Sequence, residues 1–442
     1  MTIKARFVFP RGFLWGTATS SHQVEGQNTN NNWWAWEQEG HIAQGHSAAL
    51  ACNWWGGRWR EDFDRAAEAG QNAHRLSVEW SRIQPAPDRW DEEALDHYRQ
   101  MVRGLVERNL TPVVTLHHFT DPLWLSEQGG WERPEVVAAF ARYVEKVVEA
   151  LKEYVPLWCT INEPNVYAVL GYVTGEFPPG RQDDVPKALQ VMEHMARAHA
   201  AAYEVIHRVH PEARVGLVHH LRPMQAARPW FPPDGVLARW QDRLFNAFFL
   251  RALGEGVLLT PWGRRKAPEL RGKQDFLGVN YYTAEQVAFT WAPQALFSRR
   301  FYRPEAPLSE HGDIAHEPLA FAHTLRRVAR YGLPIIVTEN GVEDSHDTLR
   351  PRYLAEHVHQ MWRVINNNVP IKGYFHWTLV DNFEWHHGWT RRFGLWALDP
   401  ETQVRTKRPS ADLYAALCRE NALDAEMVDT FAPAARPAIF PE

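Results

Sequence analysis

The sequence predicts an α/β protein, a single (β/α)8 TIM barrel whose active site lies at the C-terminal ends of the strands. Three observations predict it. Eight short apolar runs alternate with amphipathic helical stretches, roughly 40 to 60 residues from one strand to the next. Two of the runs, 157–163 and 335–339, end in a glutamate. No stretch rich in Gly, Ser or Pro divides the 442 residues, so residues 1–442 read as one domain. The competing fold is a doubly wound sheet, which would carry an early phosphate-binding glycine loop. The lone Gly254-Glu255-Gly256 has no third glycine and does not supply one.

Taken in order, 13–19 is the first strand and 20–26 a polar loop. Trp33, Trp34 and Trp36 read as loop residues covering a cleft. Residues 58–69 form a helix with Phe63, Ala66 and Ala67 on one face. The second strand is 74–79, followed by helix 91–108. The third is 112–118, followed by helix 134–154, whose proline sits early, where a helix tolerates it. Pro164 stops the fourth strand, and helix 186–209 follows. Strand 213–219 and helix 236–253 make the fifth unit, and strand 275–282 and helix 318–330 the sixth. In the seventh, Ile335-Ile336-Val337 wants burial on both faces. That strand stops abruptly at Glu339 and an Asn340-Gly341 turn. Helix 352–366, strand 373–379 and helix 410–419 complete the series. The Ala- and Pro-rich stretch 432–442 reads as a loosely packed tail.

Composition narrows the function classes. The chain is 45% hydrophobic and 23% charged, with a net charge of -5, which leaves no basic patch for nucleic acid and no polybasic membrane signal. Cys52, Cys159 and Cys418 have neither disulfide nor zinc-knuckle spacing. Residues 1–12 lack the apolar run of a secretory leader. No stretch approaches the ~18 apolar residues of a membrane span. A reduced, cytoplasmic protein is expected, with no cofactor and no metal; a homo-oligomer remains open. The 21 tryptophans mean either a large aromatic core or flat faces lining a site for sugars.

The barrel makes the strand ends informative, because its chemistry sits there. They carry Gln23, Arg75, His118, Asn162-Glu163, Asn280, Tyr282, Glu339 and Trp377. The fourth and seventh strands face each other across the pore, so Glu163 and Glu339 can meet. Desolvating a carboxylate costs several kcal/mol unless partners hold it. A pair ~5–5.5 Å apart is what a retaining glycosidase needs. Glu339 suits the nucleophile, with Arg75 and Tyr282 donating to its charged form and keeping its pKa low. Glu163 suits the acid/base, its pKa raised by the neighbouring charge.

Several stretches then carry a resemblance. They are Phe13-Leu14-Trp15-Gly16-Thr17-Ala18-Thr19, Gln23-Val24-Glu25-Gly26, and Arg75-Leu76-Ser77-Val78-Glu79-Trp80-Ser81-Arg82-Ile83. Next come Thr115-Leu116-His117-His118-Phe119, Thr160-Ile161-Asn162-Glu163-Pro164-Asn165, and Phe276-Leu277-Gly278-Val279-Asn280-Tyr281-Tyr282. Thr338-Glu339-Asn340-Gly341 and Trp377-Thr378-Leu379-Val380-Asp381-Asn382-Phe383-Glu384-Trp385 complete them. In this order and spacing the chain resembles glycoside hydrolase family 1, the β-glucosidase and β-glycosidase family, along nearly its full length. The resemblance implies Glu163 as acid/base and Glu339 as nucleophile. It implies Gln23, His118, Asn162, Glu384 and Trp385 as partners of the sugar hydroxyls, Trp377 as the ring beneath the sugar, Tyr282 as the donor to the nucleophile, and Arg75 as the neighbouring cation. The intact Glu384-Trp385 pair implies unphosphorylated β-glucosides or short oligosaccharides, with β-galactosides and β-fucosides also accepted. Asp121 and the loop 33–55 depart from the commoner family pattern near the expected cleft mouth, which bears on the leaving group.

Other residues carry two readings. The pairs His117-His118, His219-His220 and His386-His387 suggest a metal, but neighbours on a strand point to opposite faces and cannot chelate one ion. Core or sugar-facing histidine is the better reading. Cys159 is either a nucleophile or a core residue, and the core is the better reading. Glu79 is either a structural acid or a site residue, and Asn165 either a leaving-group contact or a loop cap. Trp124 joins Trp377 and Trp385 as a site tryptophan. A catalytically silent sugar-binding protein of this fold would lack one of the two glutamates, and an NAD-dependent barrel oxidoreductase would need a nucleotide motif that is absent.

Overall fold

The computed structural model describes residues 5–292 and 297–441. Residues 1–4 of the N-terminal segment and Glu442 of the expected tail lie outside the described residues. Eight parallel strands close on themselves: β1 (Leu14–Ala18), β2 (Ala73–Ser77), β3 (Thr111–His117), β4 (Leu157–Asn162), β5 (Arg214–His220), β6 (Phe276–Asn280), β7 (Ile335–Asn340) and β8 (Ile371–Trp377). Each pairs with its sequence neighbours, and β8 pairs with β1. Every strand lies where the sequence places it, within two residues at either end.

Outside the ring run the helices α1 (Trp59–Glu68), α2 (Glu92–Val106), α3 (Val136–Leu151), α4 (Val185–Val209), α5 (Phe248–Glu255), α6 (Pro318–Ala329), α7 (Arg350–Ile365) and α8 (Pro409–Glu420). Their starts follow local chemistry. The Asp91 carboxylate accepts from Ala94 N at 2.9 Å to cap α2, and Asp184 accepts from Lys187 N to cap α4. Prolines open α4, α6, α7 and α8, where a missing N–H costs nothing.

Alternation along the strands divides the core. Ala18, Ala73, Val113, Cys159, Val218, Phe276, Ile336 and Phe375, one from each strand, fill the barrel interior. Residues of opposite parity pack outward against the helices, among them Val114, Trp158 and Leu217 on one side and Leu277, Val337 and Tyr374 on the other. Among the described residues no helix is long and apolar enough to cross a membrane.

Near the rim, two strands break the alternation. Between β4 and β5 the pairing steps from Cys159–Gly216 to Asn162–Val218, three residues against two. Between β7 and β8 it steps from Val337–Tyr374 to Asn340–His376. The first strand of each pair therefore carries one extra residue, ahead of Asn162 in β4 and ahead of Glu339 in β7. A one-residue bulge turns the following side chains to the other face. Without it, Glu339 would share the outward face of Val337.

Three expectations need correcting. Trp33, Trp34 and Trp36 sit on a helix, Asn32–Gln38, because Asn31 Oδ1 accepts from Trp34 N at 2.8 Å and caps it. The expected helix 236–253 is two helices, Pro232–Phe245 and α5. They part at Asn246, whose buried side chain pairs with both backbone groups of Arg222. The tail is packed: Ala432, Ala435, Ile439 and Phe440 are buried at helix-like spacing in the cluster that holds Leu354 and Val358 of α7. Phe440 stacks on Phe7 with ring centroids 5.2 Å apart. Apolar spacing outweighs the Pro-rich composition there. Phe440→Ala should cost about 2 kcal/mol, read as a lower urea midpoint at unchanged slope. A midpoint equal to the parent's would restore the loose tail.

Candidate active site

A cavity of about 320 Å3 opens at the C-terminal rim of the barrel, lined by His118, Asn162, Glu163, Tyr282, Glu339, Trp377, Glu384 and Trp385, among others. It brings together residues from β4, β7, β8 and the loops that follow β3, β6 and β8. Arg75, Asn280 and Gln23 stand one layer behind, fully buried, and hold the lining groups in place.

Arg75 is the hub. Its Nη1 donates to Glu339 Oε1 at 2.5 Å, its Nη2 to Asn162 Oδ1 at 2.6 Å, and its Nε to Thr115 Oγ1 at 3.0 Å. The Tyr282 hydroxyl donates to Glu339 Oε2 at 2.6 Å, so each carboxylate oxygen has its own donor. Thr338 Oγ1 donates to Asn280 Oδ1, which turns Asn280 Nδ2 toward Glu163 Oε1 at 2.7 Å. Asn162 Oδ1 accepts from both Arg75 and Asn280, so its Nδ2 is left to donate to His118 Nε2 at 3.0 Å. His118 Nδ1 then bonds Ser77 Oγ at 3.0 Å. Burial, with the Arg75 charge beside it, holds the His118 ring neutral.

Glu163 has left-handed backbone angles (φ 44°, ψ 55°) and precedes the helix Pro164–Val169. A non-glycine residue held there stores about 1–3 kcal/mol, which the surrounding bonds must offset. His220, the last residue of β5, supplies one of them, its Nδ1 lying 2.8 Å from Glu163 Oε1. The ring is fixed by Tyr282, stacked with centroids 5.9 Å apart, and by the edge of Phe245. The sequence reading assigned no rim residue to the fifth strand. Alternation from the interior residue Val218 finds it, since i and i+2 share a face.

The titration of the two carboxyls differs from the sequence expectation. Burial raises Glu339 to about 7, with the Glu163 charge pushing the same way, against the pull of Arg75 and Tyr282. Burial also acts to raise Glu163, but His220 and Asn280 outweigh it and hold this carboxyl below its ordinary range. His220 is the reason for the reversal. The Glu163 charge in turn opposes ionisation of Glu339. The two carboxyls therefore keep one proton between them up to about pH 7. Burial and the Glu339 charge push Glu384 up to about 8, against the Gln23 amide, which donates to Glu384 Oε2 at 3.1 Å.

Not every candidate reaches the pocket. Trp124 does not line it: its indole donates to the Gln84 carbonyl at 2.9 Å and its ring meets Trp80 edge-on. Glu79 is a structural acid, accepting from the hydroxyls of Ser21, Ser81 and Thr120. Asn165 is a clamp, donating to the carbonyls of His220 and Phe245. Cys159 lies in the barrel interior. Asp121 is buried and does not line the cavity, accepting from Trp131, Tyr167 and the His117 ring. His117 and His118 thus serve different neighbours. Trp33 was read as loop cover; it is buried and packs on Trp385 at 4.7 Å. Among the described residues one group of metal-type ligands comes together, Glu310, His311 and Glu343. These are already engaged, His311 Nδ1 with Glu343 Oε2 and Glu310 with the backbone and hydroxyl of Ser345.

Comparison with known proteins agrees with this geometry. The family model for Glycosyl hydrolase family 1 matches residues 5–423. Beta-glucosidase A of Thermotoga maritima is 32% identical over 94% of this chain and 99% of its own length. The beta-glucosidase of Agrobacterium sp. is 34% identical over 94% of this chain and 96% of its own length. Among solved structures, the beta-glycosidase from Pyrococcus horikoshii superposes with a TM-score of 0.89 at 36% identity, covering 97% of this chain and 98% of its own. A full-length match, an eight-stranded parallel barrel and two buried glutamates at its rim lead to one conclusion: the chain belongs to glycosyl hydrolase family 1.

Proposed function

We propose that this hydrolase is a retaining exo-β-glycosidase. It removes terminal β-D-glucosyl groups from the non-reducing ends of unphosphorylated β-glycosides and short oligosaccharides by double displacement, and accepts β-galactosyl and β-fucosyl groups. The observation that carries the reading is the network that grips two carboxyls in one pocket, Glu339 through Arg75 and Tyr282, and Glu163 through Asn280 and His220. The named β-glucosidase relatives support the substrate class.

In this reading the Glu339 carboxylate attacks the anomeric carbon while Glu163 gives its proton to the departing oxygen. The C1–O bond to the leaving group breaks as the C1–O bond to Glu339 forms. Once Glu339 is an ester its charge is gone, so Glu163, having given up its proton, stays ionised and can act as the base. It takes a proton from water, whose oxygen attacks C1 and frees Glu339. Tyr282 and Arg75 hold the attacking carboxylate at a fixed angle, which is orientation gained before the reaction begins. Trp377 forms the floor under the sugar, and Gln23, His118, Asn162, Glu384 and Trp385 meet its hydroxyls. Near neutrality Glu384 carries its proton and can both donate and accept, which suits O4 in either configuration. Both glutamates are present and paired, which speaks against a silent sugar-binding role. Cytoplasmic residence belongs to the same reading, with Cys52, Cys159 and Cys418 all unpaired and buried.

Glu339→Gln keeps the shape and removes the attacking oxygen. It should lower kcat on nitrophenyl β-D-glucoside by ~10,000-fold or more with an unchanged far-UV spectrum. A variant within tenfold of the parent would dismiss Glu339 from the role.

Activity also needs one proton on the pair, so kcat/KM should fall on the alkaline side near pH 7 as both carboxyls ionise. His220→Asn removes a partner of the ionised Glu163 and so favours its protonated form, which should move that limb to higher pH. A limb that stays in place would reduce His220 to packing.

A further inference from the structure

Three of the 21 tryptophans belong neither to the core nor to the sugar pocket. Trp230, Trp262 and Trp291 are 78%, 89% and 88% exposed. One surface helix links them. Helix Pro232–Phe245 buries Asp234 and Ala238 and turns the opposite face outward, with Val236, Arg239, Trp240 and Arg243 at i, i+3, i+4 and i+7. At its start, Trp230 meets Phe231, Phe231 meets Phe289, and Phe289 meets Trp291 edge-on at 4.8 Å. Toward its end, Trp240 lies 6.0 Å from Trp262 and donates to the Pro261 carbonyl. The three open rings therefore flank a helix about 20 Å long. Large apolar rings gathered on one surface mark a place that something covers.

The same stretch is strongly basic. Residues 222–303 hold 13 Lys and Arg against six Asp and Glu, a balance of +7 that leaves the rest of the chain at -12. The overall charge of -5 hides this segregation, which is why composition alone showed no basic patch. All six carboxylates are already paired, Asp234 with Arg228 and Asp242 with Arg327 among them. Arg239, Arg264, Lys266 and Arg299 are exposed and make no ion pair among the described residues. Arg239 stands on the outward face of the helix, and Arg264 and Lys266 follow Trp262 on the short strand Arg264–Lys266. Arg299 lies over the Phe301 ring. Open cations and open indoles thus share one surface.

We propose that this face docks on an anionic lipid membrane, with helix Pro232–Phe245 lying along the surface. Charge and apolarity together select that occupant. Indoles settle at the headgroup level of a bilayer, and Lys and Arg meet the negative lipid there. A soluble polyanion would satisfy the cations but gain nothing from Val236 and Phe297, which are 56% and 43% exposed. A second copy across a twofold axis would set one basic face against another. Docking of this kind needs no membrane-spanning helix. It holds whatever reaction the barrel performs.

The test is co-sedimentation of the full chain with sucrose-loaded vesicles of phosphatidylcholine, with and without phosphatidylglycerol. At low salt the protein should bind the anionic vesicles at least ~10-fold more tightly than the neutral ones, and ~0.5 M salt should release it. Arg264→Ala with Lys266→Ala should weaken binding about 25-fold, roughly fivefold per charge. Trp230→Ala with Trp291→Ala should weaken it at least ~5-fold at unchanged charge. Both double variants should keep the parent's far-UV spectrum. Protein left in solution with both vesicles, equal binding to both, or binding that either variant leaves intact would overturn the membrane face. So would capture by dextran sulfate with the anionic vesicles ignored, which would mean a soluble polyanion. A dimer in sedimentation velocity that the tryptophan variant dissolves, without vesicle binding, would mean a second copy and would equally overturn it.

Discussion

A guanidinium buried beyond reach of water organises this molecule. Arg75 is 0% exposed, and its anion is Glu339 at 2.5 Å. Removing one member of such a pair costs about 3–5 kcal/mol, because the other is left charged and dry. The remaining donors of Arg75 are used as strictly, on Asn162, Thr115 and the Thr338 carbonyl. One side chain on β2 thereby ties β3, β4 and β7 at the level where the chemistry occurs. The network continues without a gap from Glu339 through Arg75, Asn162 and Asn280 to Glu163. Two acids on opposite walls of a barrel are thus held by one set of bonds. That is why their protons cannot be treated separately.

The barrel supplies the frame, and its irregularities supply the aim. A regular parallel strand alternates strictly, so a residue is either in the pore or against a helix. At the rim β4 and β7 each depart from this, with one extra residue ahead of Asn162 in the first and ahead of Glu339 in the second. Glu163 adds a left-handed turn, and His220 and Asn280 hold it there. A left-handed residue, two bulges and a buried ion pair thus meet at one rim.

Much of this was legible in the amino-acid order, for identifiable reasons. Runs such as Ile335-Ile336-Val337 suit only a strand covered on both faces, so the eight strands could be read within two residues. Glu163 and Glu339 stood out because a carboxyl ending such a run demands partners. Other features were not legible. The bulges depend on pairing between strands and leave no local mark. Trp124, Trp377 and Trp385 are alike as residues, and only the fold sends the first to Gln84 and the others to the pocket. Glu79 was ambiguous because its partners, Ser21 and Thr120, come from distant loops. The order of the two carboxyl titrations was misread for want of one contact, His220. The tail was misread because its composition hid the spacing of Ala432, Ala435, Ile439 and Phe440.

The central claim is that Glu163 and Glu339 divide the breaking of one acetal between them, with the sugar bonded to the protein midway. Two inversions at one carbon restore its configuration. Proton NMR during the first minutes of β-glucoside hydrolysis, before mutarotation, measures this directly. The β-anomer of glucose should appear first and the α-anomer only as it equilibrates. Initial release of the α-anomer would mean that water attacks directly, and the account given for Glu339 would fail.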